Sequence, residues 1–380
     1  MFVDFLLRDI DPKVIEWIKI NKSTGISQNV FIKNLISNAI DEKNKITNSK
    51  LNFAENNYKN FPFTFIDLFA GIGGFRSALT FLGGKCVYTN EWNKYALSTY
   101  KHWYGSEDTT SEDIRTIDHS YIPSHDILCA GFPCQPFSLA GVSKKNSLGR
   151  KHGFDDLEQG NLFDCILKIV DTKKPPILFL ENVKNLKSHD KGNTWKYIKK
   201  SISDRGYEIF SSVMDASNWV PQHRERIFIV GFSNQNHKFL YPEPLNIKTK
   251  VSDILDPGPK YKYFISQKLW DSHRARKKRN QNAKPKKGFG FKSVTKYDDY
   301  TSTLSARYYK DGAEILIKRR GEDENIPPRL LTPNEAKQLQ GFPKTFKPHV
   351  SNIQAYKQFG NAVSVPVIKR LVKAMIPFIK

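Results

Sequence analysis

The chain has 380 residues, enough for one large and one or two small domains with well-buried cores. It carries 60 Lys and Arg against 38 Asp and Glu, a formal net charge of +22, which favours a polyanionic partner such as nucleic acid. No apolar run approaches the ~18–20 residues of a membrane span, and no N-terminal stretch has the order of a signal peptide. The four cysteines lack CxxC and metal-ligand spacing, so we expect reduced thiols, no metal and a cytoplasmic protein.

Residues 1–45 form the first predicted unit. FVDFLLRDI alternates as a strand does, Asp11 and Pro12 then begin a helix, and Ser27 can cap a second one. Strand, helix and helix in this order resemble the ribbon-helix-helix arm of CopG-like repressors, which implies a homodimer formed by paired strands. The alternative is a cap that packs on the main domain. Polar residues 46–60 read as a linker.

Short apolar strands alternate with helical stretches through residues 61–245. The strands are TFIDLFA, KCVYTNE, HDILCAG, PPILFLENV and ERIFIVGF. This pattern predicts an α/β domain with a mainly parallel sheet covered on both faces, in which ligands bind beyond the carboxyl ends of the strands. Residues 246–327 are Pro-rich and basic and are expected to form an inserted small domain. Residues 328–380 are expected to return to the large domain, with helix and strand over 332–376.

The turn FAGIGG after the first strand places glycines where a backbone must approach a ligand. Glu91, at the end of the next strand, suits a ribose diol, and Trp92 can stack on a purine. Asp113 and Ile114 could read an adenine amine. These residues favour a nucleoside ligand, and they leave both NAD and S-adenosylmethionine open.

Cys134 lies between two prolines at the end of a strand, where a thiol is accessible and a helix dipole can lower its pKa. The other three cysteines are expected to be buried. Glu181, at the end of the next core strand, could polarise what the thiolate attacks, or it could be a helix cap. Arg224 and Arg226 share one face of an extended segment and suit a phosphate or a carbonyl oxygen, or else a surface ion pair.

Eight ordered blocks between residues 63 and about 372 resemble the DNA (cytosine-5)-methyltransferases. They are FAGIGG, NEW, EDI, GFPCQPFS, ENV, QHRER, RLLTPNEAKQLQGFP and QFGNAVSVP. Residues 133–153 and 303–317 resemble the Dcm/EcoRII branch. The resemblance implies a Rossmann-like methyltransferase domain, a small target-recognition domain over 246–327 and a short N-terminal α+β arm. It also implies S-adenosyl-L-methionine as cofactor, S-adenosyl-L-homocysteine as product and double-stranded DNA as substrate.

The resemblance also assigns roles. Cys134 adds to C6 of a flipped-out cytosine, Glu181 hydrogen-bonds N3 and the exocyclic amine, Arg226 holds O2, and Arg224 supports the loop. The implied cofactor contacts are Phe69, Gly71, Gly73, Glu91, Trp92, Asp113, Ile114, Pro133, Leu162, Asn361 and Val363. The expected DNA contacts are Gln135, Ser138, Lys144, Lys145, Arg150, Lys151, Gln222, Arg307 and Tyr308. Where the family has GNS this chain has Ala362, from which we expect a modest effect on cofactor binding.

The expected activity is methylation of the inner cytosine of CCWGG or CCNGG, which protects DNA from a cognate restriction endonuclease. One alternative is an RNA cytosine-5 methyltransferase of the tRNA-directed type. Another is a methyltransferase that also regulates its own transcription through the N-terminal arm. A nicotinamide dehydrogenase would need GxGxxG and would leave the ENV and GFPCQ blocks unexplained.

Overall fold

The computed structural model describes residues 61–133, 162–234, 238–245, 247–284, 288, 290–319 and 325–379. They belong to a compact unit that begins at Asn60. Its main sheet has seven strands: β1 Thr64–Leu68, β2 Lys85–Asn90, β3 Thr109–Thr110, β4 Ile127–Gly131, β5 Ile177–Val183, β6 Glu208–Asp215 and β7 Glu225–Phe232. Their order across the sheet is β3-β2-β1-β4-β5-β7-β6. Strands β1 to β5 pair in parallel, whereas β7 is antiparallel to both β5 and β6.

The central strands are apolar because both faces of the sheet are covered. Phe65, Cys129 and Phe179, on three neighbouring strands, have no exposed surface, and a strand buried on both faces reads as a continuous apolar run. The predicted α/β class and mainly parallel sheet are therefore confirmed. Strands β3 and β6 were not predicted, because neither forms a continuous apolar run. Strand β3 has only two residues. Strand β6, of sequence EIFSSVMD, lies at the edge of the sheet, is mostly half-buried and mixes serine with apolar residues.

The direction of β7 decides which residues reach the edge where β5 ends. Because β7 runs antiparallel to β5, its first residues pair with the last residues of β5, and Arg226 lies opposite Val183. A parallel β7 would have carried the arginines to the far edge of the sheet. The reversal of this one strand therefore places the QHRER segment beside the ENV segment.

Eight α-helices lie within the described residues. They are α1 Gly74–Phe81, α2 Lys94–Tyr104, α3 Leu162–Lys173, α4 Asn193–Ser203, α5 Gln267–Asn282, α6 Pro333–Leu339, α7 Asn352–Asn361 and α8 Val365–Met375. Asn93 caps α2 by accepting the N–H groups of Tyr95 and Ala96, and Thr332 and Glu335 form a capping box on α6. None of the helices in these ranges is long and apolar enough to cross a membrane.

Helix α8 packs against α1, so the end of the chain contacts the first helix of the domain. Its buried residues, among them Ile368, Leu371 and Met375, recur at helical spacing. Residues 332–376, all of which are described, contain three helices and no strand. The expectation of a strand there was wrong, because the apolar residues follow the period of a helix.

A small separate sheet pairs β8 Ser293–Val294 with β9 Leu316–Ile317 in parallel. A local core lies beside it, formed by Ile265, Trp270, Phe291, Ala313 and Leu316. The basic helix α5 buries only Trp270 and His273 among its residues. Its remaining side chains, which are mostly charged or polar, are left partly or fully exposed.

Candidate active site

The turn after β1 has the backbone geometry of a ligand-binding loop. Phe69, Gly71 and Gly73 all have positive φ, at 54°, 57° and 78°. A side chain at Gly73 would come within 2.4 Å of the Tyr104 ring, whereas a Cβ at Gly71 would meet nothing within 4 Å. Positive φ at the non-glycine Phe69 is strained, and such strain concentrates at functional turns. The turn thus leaves open space beside Gly71.

Glu91 ties this turn to the end of β2. Its Oε2 accepts the Gly71 N–H at 2.8 Å, and its Oε1 accepts the Asn93 N–H at 2.7 Å. Burial raises the pKa of Glu91, and the two backbone N–H groups act in the opposite direction. Each carboxylate oxygen has two lone pairs, so both oxygens keep an acceptor site for a ligand hydroxyl. The arrangement suits a ribose diol.

The structure describes each of the other expected cofactor residues. Trp92 follows Glu91 with 69% of its surface exposed, so its indole is available for stacking. Ile114 is buried after β3, and Pro133 is exposed two residues beyond β4. Leu162 is the first residue of α3, and Asn361 is the last residue of α7. Asp113 forms an ion pair with Arg115.

Val363 brings the C-terminal segment to the N-terminal turn. A Cβ on Gly74, the first residue of α1, would lie 2.5 Å from Val363 Cγ2. Residues nearly 300 positions apart therefore contact each other at the start of α1. The open space at Gly71, the free indole face of Trp92 and the oriented Glu91 carboxyl fit an adenosine-containing cofactor.

Glu181 and Arg226 form the centre of the site. Arg226 Nε lies 3.2 Å from Glu181 Oε1. Glu181 is 8% exposed, and burial raises its pKa, although Arg226 and Arg224 lower it in part. In the sheet register Glu181 lies opposite Gly131, where an added Cβ would lie 3.7 Å from Glu181 Oε2. The site therefore holds a buried carboxyl with an increased tendency to stay protonated, beside a fixed positive charge.

Asn182 is a site residue that the sequence analysis did not single out. Its Nδ2 donates to the Phe132 carbonyl at 2.9 Å, and its Oδ1 accepts the Val183 N–H at 2.8 Å. Phe132 is two residues before Cys134, so this buried amide fixes the chain that leads to the cysteine. The signal was present in the sequence as the middle residue of ENV.

Arg224 is a buried connection between three distant segments. Its Nη1 donates to the Leu304 carbonyl at 3.0 Å, and its Nη2 donates to the carbonyls of Gly360 and Ala362 at 3.1 and 2.8 Å. Burial, followed by the charge of Arg226, lowers the pKa of Arg224 to about 9, so the guanidinium remains charged at neutral pH. Arg224 therefore binds backbone carbonyls of distant segments, including that of Gly360 near the end of α7.

Two expected DNA contacts have side chains in the interior. Gln222 donates through Nε2 to the Leu339 carbonyl and accepts the Leu304 N–H through Oε1, both at 2.9 Å. Tyr308 has no exposed surface, and its hydroxyl donates to the Ile315 carbonyl and accepts the Leu331 N–H, both at 2.7 Å. In this structure both side chains are buried and bind backbone groups of the protein, so neither lies on the surface where a DNA contact was expected. Arg307 is exposed.

Several expected site residues lie outside the described residues. They are the expected nucleophile Cys134 and the expected DNA contacts Gln135, Ser138, Lys144, Lys145, Arg150 and Lys151. The N-terminal arm 1–45 also lies outside the described residues. The other three cysteines are buried, as expected. Within the described ranges, no group of three or more His, Cys, Asp or Glu side chains could hold a metal ion.

A family model described as C-5 cytosine-specific DNA methylase matches residues 63–377. The chain belongs to this family. It is 47% identical over 316 residues to the type II methyltransferase M.NlaX of Neisseria lactamica, covering 82% of this chain and 96% of the relative. It is 41% identical to the DNA-cytosine methyltransferase of Escherichia coli K12, covering 85% and 79%. A crystal structure of a Spodoptera frugiperda DNMT2 mutant has the same fold, with a TM-score of 0.65, 20% identity and coverage of 82% and 99%.

The resemblance to the DNA (cytosine-5)-methyltransferases is thus confirmed, together with S-adenosylmethionine as the methyl donor and DNA as the substrate. The family match also decides between the nucleoside ligands that the turn left open. The relatives that cover most of the chain include type II methyltransferases.

Proposed function

We propose that this DNA (cytosine-5)-methyltransferase acts on the inner cytosine of CCWGG or CCNGG and flips that base out of the duplex. The observation that carries the chemistry is the buried Glu181–Arg226 pair at the carboxyl edge of the sheet. The choice of site is supported by the Dcm/EcoRII-like segments 133–153 and 303–317. Flipping is required because C5 and C6 of a stacked, paired base cannot be enclosed by an active site.

Glu181 acts as the acid that activates the cytosine ring. A protonated carboxyl can donate its O–H to N3 and accept from the exocyclic amine through its other oxygen. Positive charge gained at N3 draws electrons from the ring and makes C6 susceptible to a thiolate. The raised pKa of Glu181 favours the protonated form that this role needs. Arg226 donates to O2 of the base and orients the Glu181 carboxyl.

Cys134 is the proposed nucleophile. Its thiolate forms a bond to C6, and the displaced ring electrons make C5 nucleophilic toward a methyl group. Loss of the proton from C5 to a base then restores the ring and breaks the sulfur–C6 bond, which regenerates the thiolate. Bound S-adenosylmethionine supplies a methyl group on a positively charged sulfur and leaves as S-adenosylhomocysteine.

The proposed cofactor contacts are the residues around the turn, with Trp92 stacking on the adenine and Glu91 accepting from the ribose. Their support is the exposed indole and the open space beside Gly71. Asn361 and Val363 complete the site from the C-terminal segment. We propose no metal in this reaction, because acid catalysis and a thiolate supply the chemistry.

We divide the chain into consecutive segments with different proposed roles. Residues 61–245 form the catalytic domain, 246–327 recognise the target, and 328–380 complete the catalytic domain; the packing of α8 on α1 and the separate core around Trp270 support this division. The arm 1–45 forms a homodimer contact, and the linker spans 46–60. Methylation protects cytoplasmic DNA from a cognate restriction endonuclease.

The first test measures methyl transfer from labelled S-adenosylmethionine to short duplexes that contain CCAGG, CCGGG or a scrambled site. The wild type is compared with Cys134→Ala. Label on CCAGG alone, abolished in the variant, supports a W-centred site, whereas label on both duplexes widens the site to CCNGG. Label on neither, with the cofactor still bound, would refute the proposed site.

A tRNA substrate in the same assay tests the alternative RNA activity, for which we expect no incorporation of label. Protection is tested on a plasmid that carries CCWGG sites. Expression of the wild type, but not of Cys134→Ala, should make that plasmid resistant to a nuclease that cuts unmethylated CCWGG. Cutting of both plasmids to the same extent would refute the protective role.

A further inference from the structure

The glycine turn after β1 is held from both ends of helix α2. Just before that helix begins, the Glu91 carboxyl accepts the Gly71 N–H at 2.8 Å. At the other end, Tyr104 is the last residue of α2, and its hydroxyl donates to the Gly73 carbonyl at 2.8 Å. One helix and the residues that lead into it therefore fix both an N–H and a carbonyl of the same turn.

The Tyr104 ring also packs directly against the turn. A Cβ added at Gly73 would lie 2.4 Å from Tyr104 Cε2 and 2.9 Å from Tyr100 Cε2. The centroids of these two rings are 4.8 Å apart, and Tyr100 has no exposed surface. At Gly71, by contrast, an added Cβ would meet nothing within 4 Å. The turn is therefore tightly packed at Gly73 and open at Gly71.

Arg76, in the first turn of α1, holds the two tyrosine rings in place. Its guanidinium carbon lies 4.8 Å from the centroid of the Tyr104 ring and 5.3 Å from that of Tyr100. It donates to the Tyr104 carbonyl at 3.4 Å and to the Tyr100 hydroxyl at 3.2 Å. Nη1 also donates to Asp108 at 2.7 Å, and both of these side chains are mostly buried. Because the guanidinium donors lie in one fixed plane, Arg76 sets the positions of all these groups together.

The same contacts reach the strand end that carries Glu91. The Tyr100 hydroxyl lies 2.7 Å from Thr89 Oγ1, and the Asp108 carbonyl accepts the Thr89 N–H at 2.7 Å. Thr89 precedes Glu91 by two residues and has no exposed surface. A continuous set of contacts thus joins the turn to Glu91 through the interior of the protein.

We propose that Tyr104 and Arg76 are positioning residues of the cofactor site. Neither lies within 4 Å of the Cβ position at Gly71, so both act through the turn, whose Gly73 carbonyl they hold in place. The free protein then already has the turn in its binding arrangement, and the cofactor does not have to order it. This inference rests on the cofactor site of the proposed function and does not depend on which DNA sequence is methylated.

The test compares Tyr104→Phe with Tyr207→Phe by isothermal titration with S-adenosylhomocysteine. Tyr207 is the matched control because it is also buried and donates its hydroxyl to a backbone carbonyl, that of Pro175, at 2.6 Å. Pro175 precedes β5, so this bond lies at the opposite edge of the sheet from Glu91. Both variants should unfold at a lower urea concentration than the wild type. The affinity should fall about 3- to 10-fold in Tyr104→Phe and stay within about twofold in Tyr207→Phe.

Steady-state methylation separates positioning from a general loss of structure. In Tyr104→Phe the KM for S-adenosylmethionine should rise by the same factor as the dissociation constant, whereas kcat at saturating cofactor should stay within about twofold of the wild type. Arg76→Lys keeps a positive charge beside Asp108 and loses the plane of donors, so it should also weaken cofactor binding. If Arg76→Lys does not fold, Tyr104→Phe alone decides.

Two results would overturn the proposal. One is an unchanged affinity in Tyr104→Phe together with a loss of stability like that of Tyr207→Phe, which would make Tyr104 a purely structural residue. The other is an equal loss of affinity in both tyrosine variants, because the effect would then follow from stability alone. Trp92→Ala is titrated alongside and should also bind more weakly. An unchanged affinity in that variant would contradict the stacking contact of the proposed function, and the comparison of the two tyrosine variants would still decide the positioning role.

Discussion

Replacing Gly360 by alanine tests whether one close backbone approach holds α7 to the segment around Ser305. Gly360 is the second-to-last residue of α7, and a Cβ there would lie 2.3 Å from the Ser305 carbonyl carbon and 2.4 Å from the Ala306 nitrogen. Both atoms belong to one peptide group, which cannot rotate away as a side chain can. The two segments would have to separate by about 1 Å to restore ordinary contact distances.

Helix propensity alone predicts the opposite result. Alanine is favoured over glycine inside a helix by about 0.8–1 kcal/mol, so the substitution should stabilise α7 if nothing opposed it. Overpacking costs about 1–3 kcal/mol, or more where a backbone must move. The sum predicts a net loss of up to about 2 kcal/mol in the free energy of unfolding for Gly360→Ala.

The substitution should also weaken cofactor binding. The Gly360 carbonyl accepts from Arg224 Nη2 at 3.1 Å, and the next residue, Asn361, is a proposed cofactor contact. Moving the helix end therefore displaces that side of the cofactor site. Urea-induced unfolding measures the stability, and isothermal titration with S-adenosylhomocysteine measures the affinity.

Gly231→Ala is the matched control, because an added Cβ would meet only the Leu178 side chain, at 3.5 Å, an ordinary contact. This variant should be as stable as the wild type or slightly more stable. The reasoning is refuted if Gly360→Ala unfolds at the same or a higher urea concentration than the wild type with an unchanged dependence on urea.

Glu181→Gln should reduce methyl transfer by about 10²–10⁴-fold. The pKa of Glu181 is raised in the folded protein, so ionisation of this carboxyl destabilises the wild type as pH rises above about 4.3, the unfolded value. The variant should therefore be at least as stable as the wild type at pH 8, and a less stable variant would contradict this reasoning. Burial lowers the pKa of His125 to about 4. The contribution of neutral His125 to the free energy of unfolding is therefore fully present above its unfolded pKa of about 6.5, and up to about 3 kcal/mol is lost as pH drops toward 4. His125→Gln should flatten that decline, measured by urea unfolding at several pH values, and an equal decline would exclude His125 as its source. Glu335→Gln should lower the free energy of unfolding by about 3–5 kcal/mol, because buried Arg329 loses a carboxylate that accepts two hydrogen bonds at 2.8 Å. A loss below about 1 kcal/mol in the same assay would show that this ion pair contributes little to stability.

The fold class could be predicted because the relevant signal is local. A strand buried on both faces must be apolar at every position, so runs such as ILFLENV are recognisable without any knowledge of their neighbours. The two missed strands lack that signal, since β6 lies at an edge and β3 has only two residues. The strand that was expected somewhere in residues 332–376 is absent, because the apolar residues of that stretch lie on helices.

The residue types of the candidate site and their order along the chain could be predicted. Their positions in three dimensions could be predicted much less well. Glu91, Glu181 and Arg226 could be named from their motifs. The sequence did not reveal that Gln222 and Tyr308 point inward, because both residue types are also common on binding surfaces. Their partners come from other parts of the chain: Gln222 accepts from Leu304 and Tyr308 from Leu331.

By itself, the sequence determined the α/β class and the family, and it predicted a nucleoside-binding turn and the chemical groups of the reaction. Tertiary structure alone decided that β7 runs antiparallel, which brings Arg226 to Glu181, and that Arg224 binds carbonyls 80 and more than 130 residues away. The physical reason is the range of the interactions. Periodicity and turn chemistry act between neighbours in sequence, whereas strand direction and close backbone approaches depend on the packing of the whole chain.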